Sequence, residues 1–224
     1  MFRKRITISI LLILMLYPVR AQHQDFRTWI DISLEGELFN LIDFEMVPEL
    51  RLWDNSTRID GILGEADISV PVTKFLRPGV YYRYEMDVDR QLRYNNIHRF
   101  GVYAELDERL GNFRLKYRAM YLQEYRNWQT DELGTIPYSM HRHKISVKYR
   151  QKGWDITPGI AVEGFFMIKP TWIDSREKFR LTAGIRYKLT KKINLTFDYK
   201  FQQEYYERNP LTSHILCVGA SFEL

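Results

Sequence analysis

Basic side chains recur at alternate positions along two stretches of the sequence, a spacing that could serve anion binding. Positions two apart in an extended chain point to the same side, so each stretch would present one charged row. If the stretches are neighbouring antiparallel strands, the rows merge into a positive strip that attracts anions. The residues are Arg114, Lys116, Arg118, Arg142, Lys144, Lys148 and Arg150. The alternative is a lattice of internal salt bridges, to which Asp155 and Glu163 would supply part of the opposing charge.

Two histidines and a serine are the other residues whose spacing could support chemistry. His141 and His143 could share a metal ion on one strand face, but a third ligand is not evident. Ser139 shares a face with His141, as in a Ser–His pair, yet no Asp or Asn that would orient the histidine is identifiable. We therefore predict no metal and no cofactor, and assign no catalytic residue. A lipid-modifying enzyme is kept as a secondary alternative.

The elements that would position these residues follow a period of two. In FRLTAGIRYKLTKKINLTFDYKF, residues 179–201, odd positions are apolar except Lys191, and even positions are polar or glycine. This alternation is typical of β-strands, and no helical periodicity follows residue 25. No linker composition divides the chain, which indicates one domain. We predict strands at about 26–36, 42–53, 59–72, 77–88, 97–108, 113–124, 140–150, 154–166, 177–189, 193–205 and 214–224.

The connections between these segments alternate between short and longer polar ones. Short examples are RLGN and QKG, whereas RNWQTDELGTIPYS is a long one. This alternation is typical of an up-and-down barrel, in which turns gather at one end and loops at the other. The segments are also longer than the roughly 5–6 residues of ordinary strands. Their length suits a tilted strand that crosses a hydrocarbon layer about 30 Å thick.

The two faces of the segments predict which one meets the outside. Apolar rows such as Phe100–Val102–Ala104–Leu106 carry no charge in the middle, while the opposite face holds nearly equal numbers of bases and acids. So many large apolar side chains would overfill a closed barrel of this size. We therefore predict that the apolar rows face lipid and the charges line the lumen. Aromatic girdles are expected near the turns and the loops, formed by Trp154, Phe113, Tyr149, Tyr187, Trp53, Tyr84, Tyr121 and Phe201.

The fold class predicted from these patterns is all-β, a transmembrane up-and-down antiparallel β-barrel of about ten to twelve strands. Sheet edges are excluded from lipid, so the sheet must close. Bacterial single-chain barrels usually have an even strand number, whereas eleven segments are counted. Either one strand is missed or segment 26–36 is not in the wall. With so few strands the lumen should be narrow or plugged.

The N-terminus has the pattern of a cleaved secretory signal peptide. A basic start at Arg3, Lys4 and Arg5 precedes the apolar run 6–16, and small residues lead up to Ala21. We divide the chain into a signal peptide, 1–21, and a barrel, 22–224. Cleavage would remove four of the 33 bases and no acid, leaving 29 bases against 28 acids. The formal charge of +5 therefore gives no argument for a nucleic-acid partner.

Three stretches give the chain a family resemblance: WIDISLEGELFNLIDFEMVPELR, ITPGIAVEGFF and ILCVGASFEL. They resemble the small Gram-negative outer-membrane barrels catalogued as domain of unknown function 2490. The shared features are a tryptophan in the first strand, an acidic-x-Arg pair at Glu49 and Arg51, and a Pro followed by Glu and aromatics at Pro158, Glu163 and Phe165. The resemblance implies an outer-membrane location and carries no activity. The chain departs from typical barrels by ending on leucine rather than on an aromatic residue.

The function expected from these features is a narrow channel or a binding barrel with a charge-lined lumen. A non-conducting structural or surface-interaction barrel is the first alternative, and a lipid-modifying enzyme at the barrel rim is the second. The expected partners are the lipid bilayer of the outer membrane and the barrel-insertion machinery, which would read the C-terminal strand. The sequence does not specify the solute.

Overall fold

The computed structural model describes residues 23–39, 41–88, 93–128, 137–168, 177–205 and 209–224. The predicted signal peptide, 1–21, lies outside these residues. No helix within the described part is long and apolar enough to span a membrane. The strands there are β1 (His23–Leu38), β2 (Ile42–Trp53), β3 (Arg58–Ser69), β4 (Leu76–Val88), β5 (Tyr94–Leu110), β6 (Phe113–Arg126), β7 (Tyr138–Tyr149), β8 (Ile156–Met167), β9 (Glu177–Lys188), β10 (Ile193–Tyr205) and β11 (Leu211–Glu223).

The strands form one closed barrel in which each pairs with its neighbours in the chain. Consecutive strands are antiparallel, which confirms the predicted up-and-down barrel. The ring closes where β1 meets β11, and this seam is parallel, from His23 beside Leu211 to Glu35 beside Glu223. Segment 26–36 therefore belongs to the wall. When eleven strands alternate in direction around a closed ring, one pair of neighbours must be parallel. In this barrel that pair is β1 and β11.

The two ends of the barrel differ in their connections. The turn end carries Phe39, Leu41, 70–75, 111–112, 150–155 and 189–192, together with Leu224. The loop end carries the last residues of β2, β4, β6, β8 and β10, together with His23. Gly111 and Gly153 in the turns have φ angles of 60° and 84°, where a glycine avoids the strain of a side chain. At the loop end, Asp54, Asn55 and Ser56 adopt positive φ in a connection of only four residues.

The wall is apolar outside and polar inside. Val102, Ile145 and Ile160 expose 57%, 54% and 62% of their surface, whereas Glu105 and Glu163 expose 5% and 4%. This confirms the predicted orientation of the two faces and reverses the order of a soluble barrel. Outward aromatic rings cluster near both ends, with Phe113 and Tyr149 5.0 Å apart at the turn end. At the loop end, His98 stacks on Trp128 at 4.2 Å.

Candidate functional site: the charged lumen

A cavity of about 620 Å³ occupies the turn-end half of the lumen. It is lined by the turn-end portions of β1 to β10, for example Arg114 and Lys116 at the start of β6 and Lys148 near the end of β7. A smaller cavity of about 340 Å³ lies at the turn-end rim. The two share Thr157 and Arg186, so the smaller one adjoins the larger.

The predicted basic strip lies along one side of this cavity. β6 and β7 are antiparallel neighbours, and their register places Arg114 beside Lys148 and Arg118 beside Lys144. The predicted residues that line the larger cavity are Arg114, Lys116, Arg118, Arg142, Lys144 and Lys148. The seventh, Arg150, follows β7 and lines the smaller cavity instead. The adjacency is therefore observed, while anion binding by these residues stays a prediction.

Four bases of the strip are neutralised by acids within the lumen. Arg114 donates through Nε to Asp107 at 2.8 Å, and Lys116 donates to Glu105 at 2.5 Å. Arg118 binds Glu105 at 2.8 Å and reaches Asp67 on β3 at 3.2 Å. These contacts, and that of Arg142 with Glu163, have the character of the salt-bridge lattice that was the alternative interpretation. The acids sit on neighbouring strands or across the lumen.

Lys144 and Lys148 differ from the other strip residues that line the larger cavity, because neither has a salt-bridge partner among the described residues. The charged groups that act most strongly on Lys148 are all cations, on β6, β7 and β9. Lys144 lies beside Glu163 in the β7–β8 register, but that carboxylate is already bound by Arg142 and Arg180. The two lysines therefore leave this side of the cavity with an excess of positive charge.

Small residues on the neighbouring strands create the space in front of these lysines. The inner faces of β8 and β9 carry Thr157, Gly159, Ala161, Thr182 and Gly184 along the cavity. A Cβ atom added to Gly159 would lie 3.2 Å from Lys148 Cγ, so a larger residue there would crowd the lysine. The side formed by β1 to β3 is acidic, with Glu35, Asp43, Glu45, Glu65 and Asp67. The opposed charges set up a field across the cavity.

Two clusters of buried side chains, here called the plug, lie in the lumen from the cavity towards the loop end, and Tyr81, Tyr103 and Met120 of the plug also line the cavity. The members of the plug are Trp29, Tyr81, Tyr103, Met120, Leu122, Met140, Phe165, Ile215 and Cys217. Arg51, Lys200 and Arg180 lie 4.0, 4.7 and 5.1 Å from the ring of Trp29, close enough for cation–π attraction.

Phe165 is surrounded in the same way, by Lys178, Arg142 and Arg180 at 5.1, 5.2 and 5.2 Å. In the sequence, Trp29 and Phe165 stand out only through the family resemblance. The signal that could have revealed their place in the plug is an aromatic residue within a charged row, since Trp29 stands between Arg27 and Asp31 at alternate positions.

Ser139, His141 and His143 lie on the outer face of the wall, near the loop end. Tyr121 donates a hydrogen bond to Ser139 at 3.3 Å, and a hydrogen bond of 2.9 Å joins Tyr117 to Nδ1 of His143. No hydrogen bond joins Ser139 to His141 in the described part of the chain. The described residues also contain no group of three His, Cys, Asp or Glu side chains placed to hold a metal ion.

Comparison with known proteins agrees with the closed-barrel fold. A solved structure of the NanC porin superimposes with a TM-score of 0.58 at 16% identity, over 89% of this chain and 99% of that one. Identity this low shows a shared fold. No curated protein matches the chain. The model of one family, described as a protein of unknown function, DUF2490, matches residues 26–211. This span covers most of the chain and confirms the resemblance seen in the sequence, and the chain belongs to the DUF2490 family.

Proposed function

We propose that this chain is an outer-membrane barrel that binds small anions in the turn-end half of its lumen. Its apolar exterior suits contact with the acyl chains of a bilayer, and the predicted signal peptide would export it. The insertion machinery would read β11, whose apolar outer row includes Phe222 and is followed directly after the strand by Leu224. The proposal concerns the class of ligand; the particular solute is not specified by these features.

The observation that carries the proposal is the charge of Lys148, which lacks an acidic partner among the described residues. Lys148 lines a cavity large enough for a small molecule, as does Lys144 on the same strand, whose neighbour Glu163 is bound by two arginines. The cations Arg186 and Arg114 lie near Lys148. A cluster of cations in a partly enclosed space attracts an anion more strongly than the same cluster in open water, because screening by solvent is weaker.

The plug favours a binding barrel with restricted passage over an open pore. Leu122 and Ile215 expose 1% and 0% of their surface, so the described side chains leave little free space beside them. Barrels with few strands are filled by their own side chains, whereas open pores have about sixteen strands. The anion-binding barrel can therefore be either a narrow channel or a non-conducting binding barrel. Conductance in a planar bilayer separates these two candidates.

The proposal is tested with Lys148→Gln. We expect the affinity for sulfate, measured by calorimetry on the folded protein in detergent, to fall about fivefold, since one nearby charge contributes about 1 kcal/mol in a well-hydrated site. If the barrel conducts, the anion-to-cation permeability ratio, obtained from the reversal potential in a KCl gradient, should fall in the same variant.

Arg77→Gln is the matched control. It also removes one positive charge from the cavity lining, but Arg77 is bound to Asp43 at 2.6 Å on the acidic side. We expect it to leave sulfate affinity unchanged. Equal losses in the two variants, or no sulfate binding by the unchanged chain, would reject a specific site at Lys148.

A further inference from the structure

Glu163 is an isolated acid among bases at the boundary between the cavity and the plug. It is the only acid in β7 and β8, and 4% of its surface is exposed. Arg142 donates through Nε to Oε1 at 2.6 Å, and Arg180 donates through Nη1 to Oε2 at 3.1 Å. Both carboxylate oxygens are therefore held by guanidinium groups. Lys144 lies directly beside Glu163 on β7, as Arg180 does on β9.

The charges at this point do not balance. Arg142, Lys144 and Arg180 share the single carboxylate of Glu163, and no other salt bridge to them is formed within the described residues. Arg180 completes its contacts with the neutral side chain of Gln202, at 2.7 and 3.1 Å.

Two other buried arginines of the lumen, Arg51 and Arg83, are arranged differently. Arg51 binds both Glu49 and Glu85, and Arg83 binds both Glu65 and Glu85. Three acids therefore serve two arginines there, whereas one acid serves three bases around Glu163.

We propose that Arg142, Lys144 and Arg180 form a second anion site, for the oxyanion of a carboxylate, sulfate or phosphate group, and that Glu163 occupies it as an internal ligand. Arg142 and Lys144 also line the cavity, so an anion held there can reach the site and compete with Glu163. The inference deepens the proposed function and rests on it for the route by which the anion arrives.

The chemistry of the donors selects an oxyanion. Guanidinium groups present several N–H donors in a plane, which suits two oxygens on one centre better than a single halide ion. Phe165 lies against both arginines and shields one side of the site from water. Weak screening raises the interaction with an anion and also makes an empty site unfavourable, which accounts for an internal carboxylate in this position.

The test is Glu163→Gln, which keeps the size of the side chain and removes its charge. We expect sulfate to bind about tenfold more tightly than to the unchanged chain, since a charge-assisted site is freed from its internal competitor. Sulfate titrations are made on the folded protein in detergent, with chloride used to hold the ionic strength constant. Chloride alone should give no comparable gain.

Glu85→Gln is the matched control, because it removes another buried lumen carboxylate that bridges two arginines. Arg51 retains Glu49 and Arg83 retains Glu65 in that variant, so no sulfate gain is expected. Equal gains in both variants, or none in folded Glu163→Gln protein, overturn the proposal.

Two further measurements keep the outcome decisive. If Glu163→Gln protein fails to fold in chloride, refolding yields in sulfate and chloride of equal ionic strength are compared. A higher yield in sulfate supports the site, and equal yields reject it.

The gain in sulfate affinity of Glu163→Gln is also expected to persist when Lys148→Gln is added. If sulfate affinity rises in the double variant and Lys148→Gln alone has no effect, the site at Lys148 is rejected and the site around Glu163 is retained.

Discussion

At the scale of single residues, the lumen is held together by ion pairs that cross it. Arg118 on β6 binds Glu105 on the adjacent β5 and Asp67 on β3, and its guanidinium lies 4.2 Å from the ring of Tyr103. Strands β3 and β6 are not neighbours in the wall. Such a contact therefore links two non-adjacent strands across the lumen, whereas backbone hydrogen bonds join only adjacent strands.

Arg118→Gln should lower the free energy of unfolding by about 3 kcal/mol, because it leaves the largely buried Asp67 without its salt-bridge partner and removes one of the two cations bound to Glu105. The measurement is urea unfolding in lipid vesicles, followed by tryptophan fluorescence. Arg58→Gln serves as the comparison, since Arg58 pairs with Asp54 at 3.3 Å on an exposed surface. Its cost should be below about 1 kcal/mol. Similar costs for the two variants would show that the internal contact contributes no more than an exposed one.

Side-chain alternation was enough to predict which bases face the lumen, but not which of them are neutralised. Arg114 finds Asp107 across the turn that joins β5 to β6, a local contact. Arg118 contacts Asp67, which lies 51 positions away in the sequence, and this contact depends on the curvature of the whole ring. The lack of a salt bridge at Lys144 and Lys148 is likewise a property of the closed barrel, and no sequence spacing encodes it.

At the scale of elements, the predicted strands agree closely with those observed. Segment 193–205 coincides with β10, and 113–124 falls two residues short of the end of β6. Differences of three residues occur at the starts of β1, β5 and β11, which begin earlier than predicted, and at the end of β3. Segment 59–72 was predicted to extend beyond the end of β3 at Ser69, but Pro71 cannot donate a ladder hydrogen bond and lies in the turn. Local alternation therefore predicts the strands well, whereas their ends depend on the turn geometry.

Ile145→Arg tests the lipid-facing assignment of these elements. Ile145 lies near the middle of β7 with 54% of its surface exposed, and an arginine at mid-depth in a barrel costs about 2–4 kcal/mol. We expect a reduced fraction of folded protein, measured as the heat-sensitive band on an unboiled SDS gel. Ile156→Arg makes the same replacement at the first residue of β8, near the turn end, and should cost no more than about 1 kcal/mol. Equal losses would contradict the assigned depth.

At the scale of the whole molecule, the parallel seam is the feature that sequence patterns could not supply. Strand β1 joins β11 at the far end of the chain, and nothing local to either strand specifies a partner so distant. Sequence patterns therefore predict each strand but leave the parity of the barrel open. The odd count, which conflicts with the usual even number of bacterial barrels, follows from the direction of this one pairing.

A disulfide can test the seam directly. Ser33 and Ser221 are opposite each other in its register and expose 6% and 3% of their surface. Neighbouring strands lie about 4.8 Å apart, within the Cα separations of about 4.4–6.8 Å that a disulfide bridges. Ser33→Cys with Ser221→Cys, in a Cys217→Ser background, should therefore cross-link on oxidation and change migration on a non-reducing gel.

The control pairs Ser33→Cys with Ser213→Cys. Ser213 is opposite Asp25, eight positions along the seam from Ser33, so this pair should remain reduced. Cross-linking of the control, or none in the first pair, would rule out the parallel register.

The parallel seam also separates the two extremities of the described chain, since His23 and Leu224 open onto opposite mouths of the ring. In a ring with an even number of alternating strands, both extremities would share one mouth and could stay on the side from which the polypeptide arrives. If the barrel spans a bilayer as proposed, one of the two extremities has to cross it before the last junction forms. We then expect insertion to include the translocation of one extremity of the described chain as well as the lateral addition of hairpins.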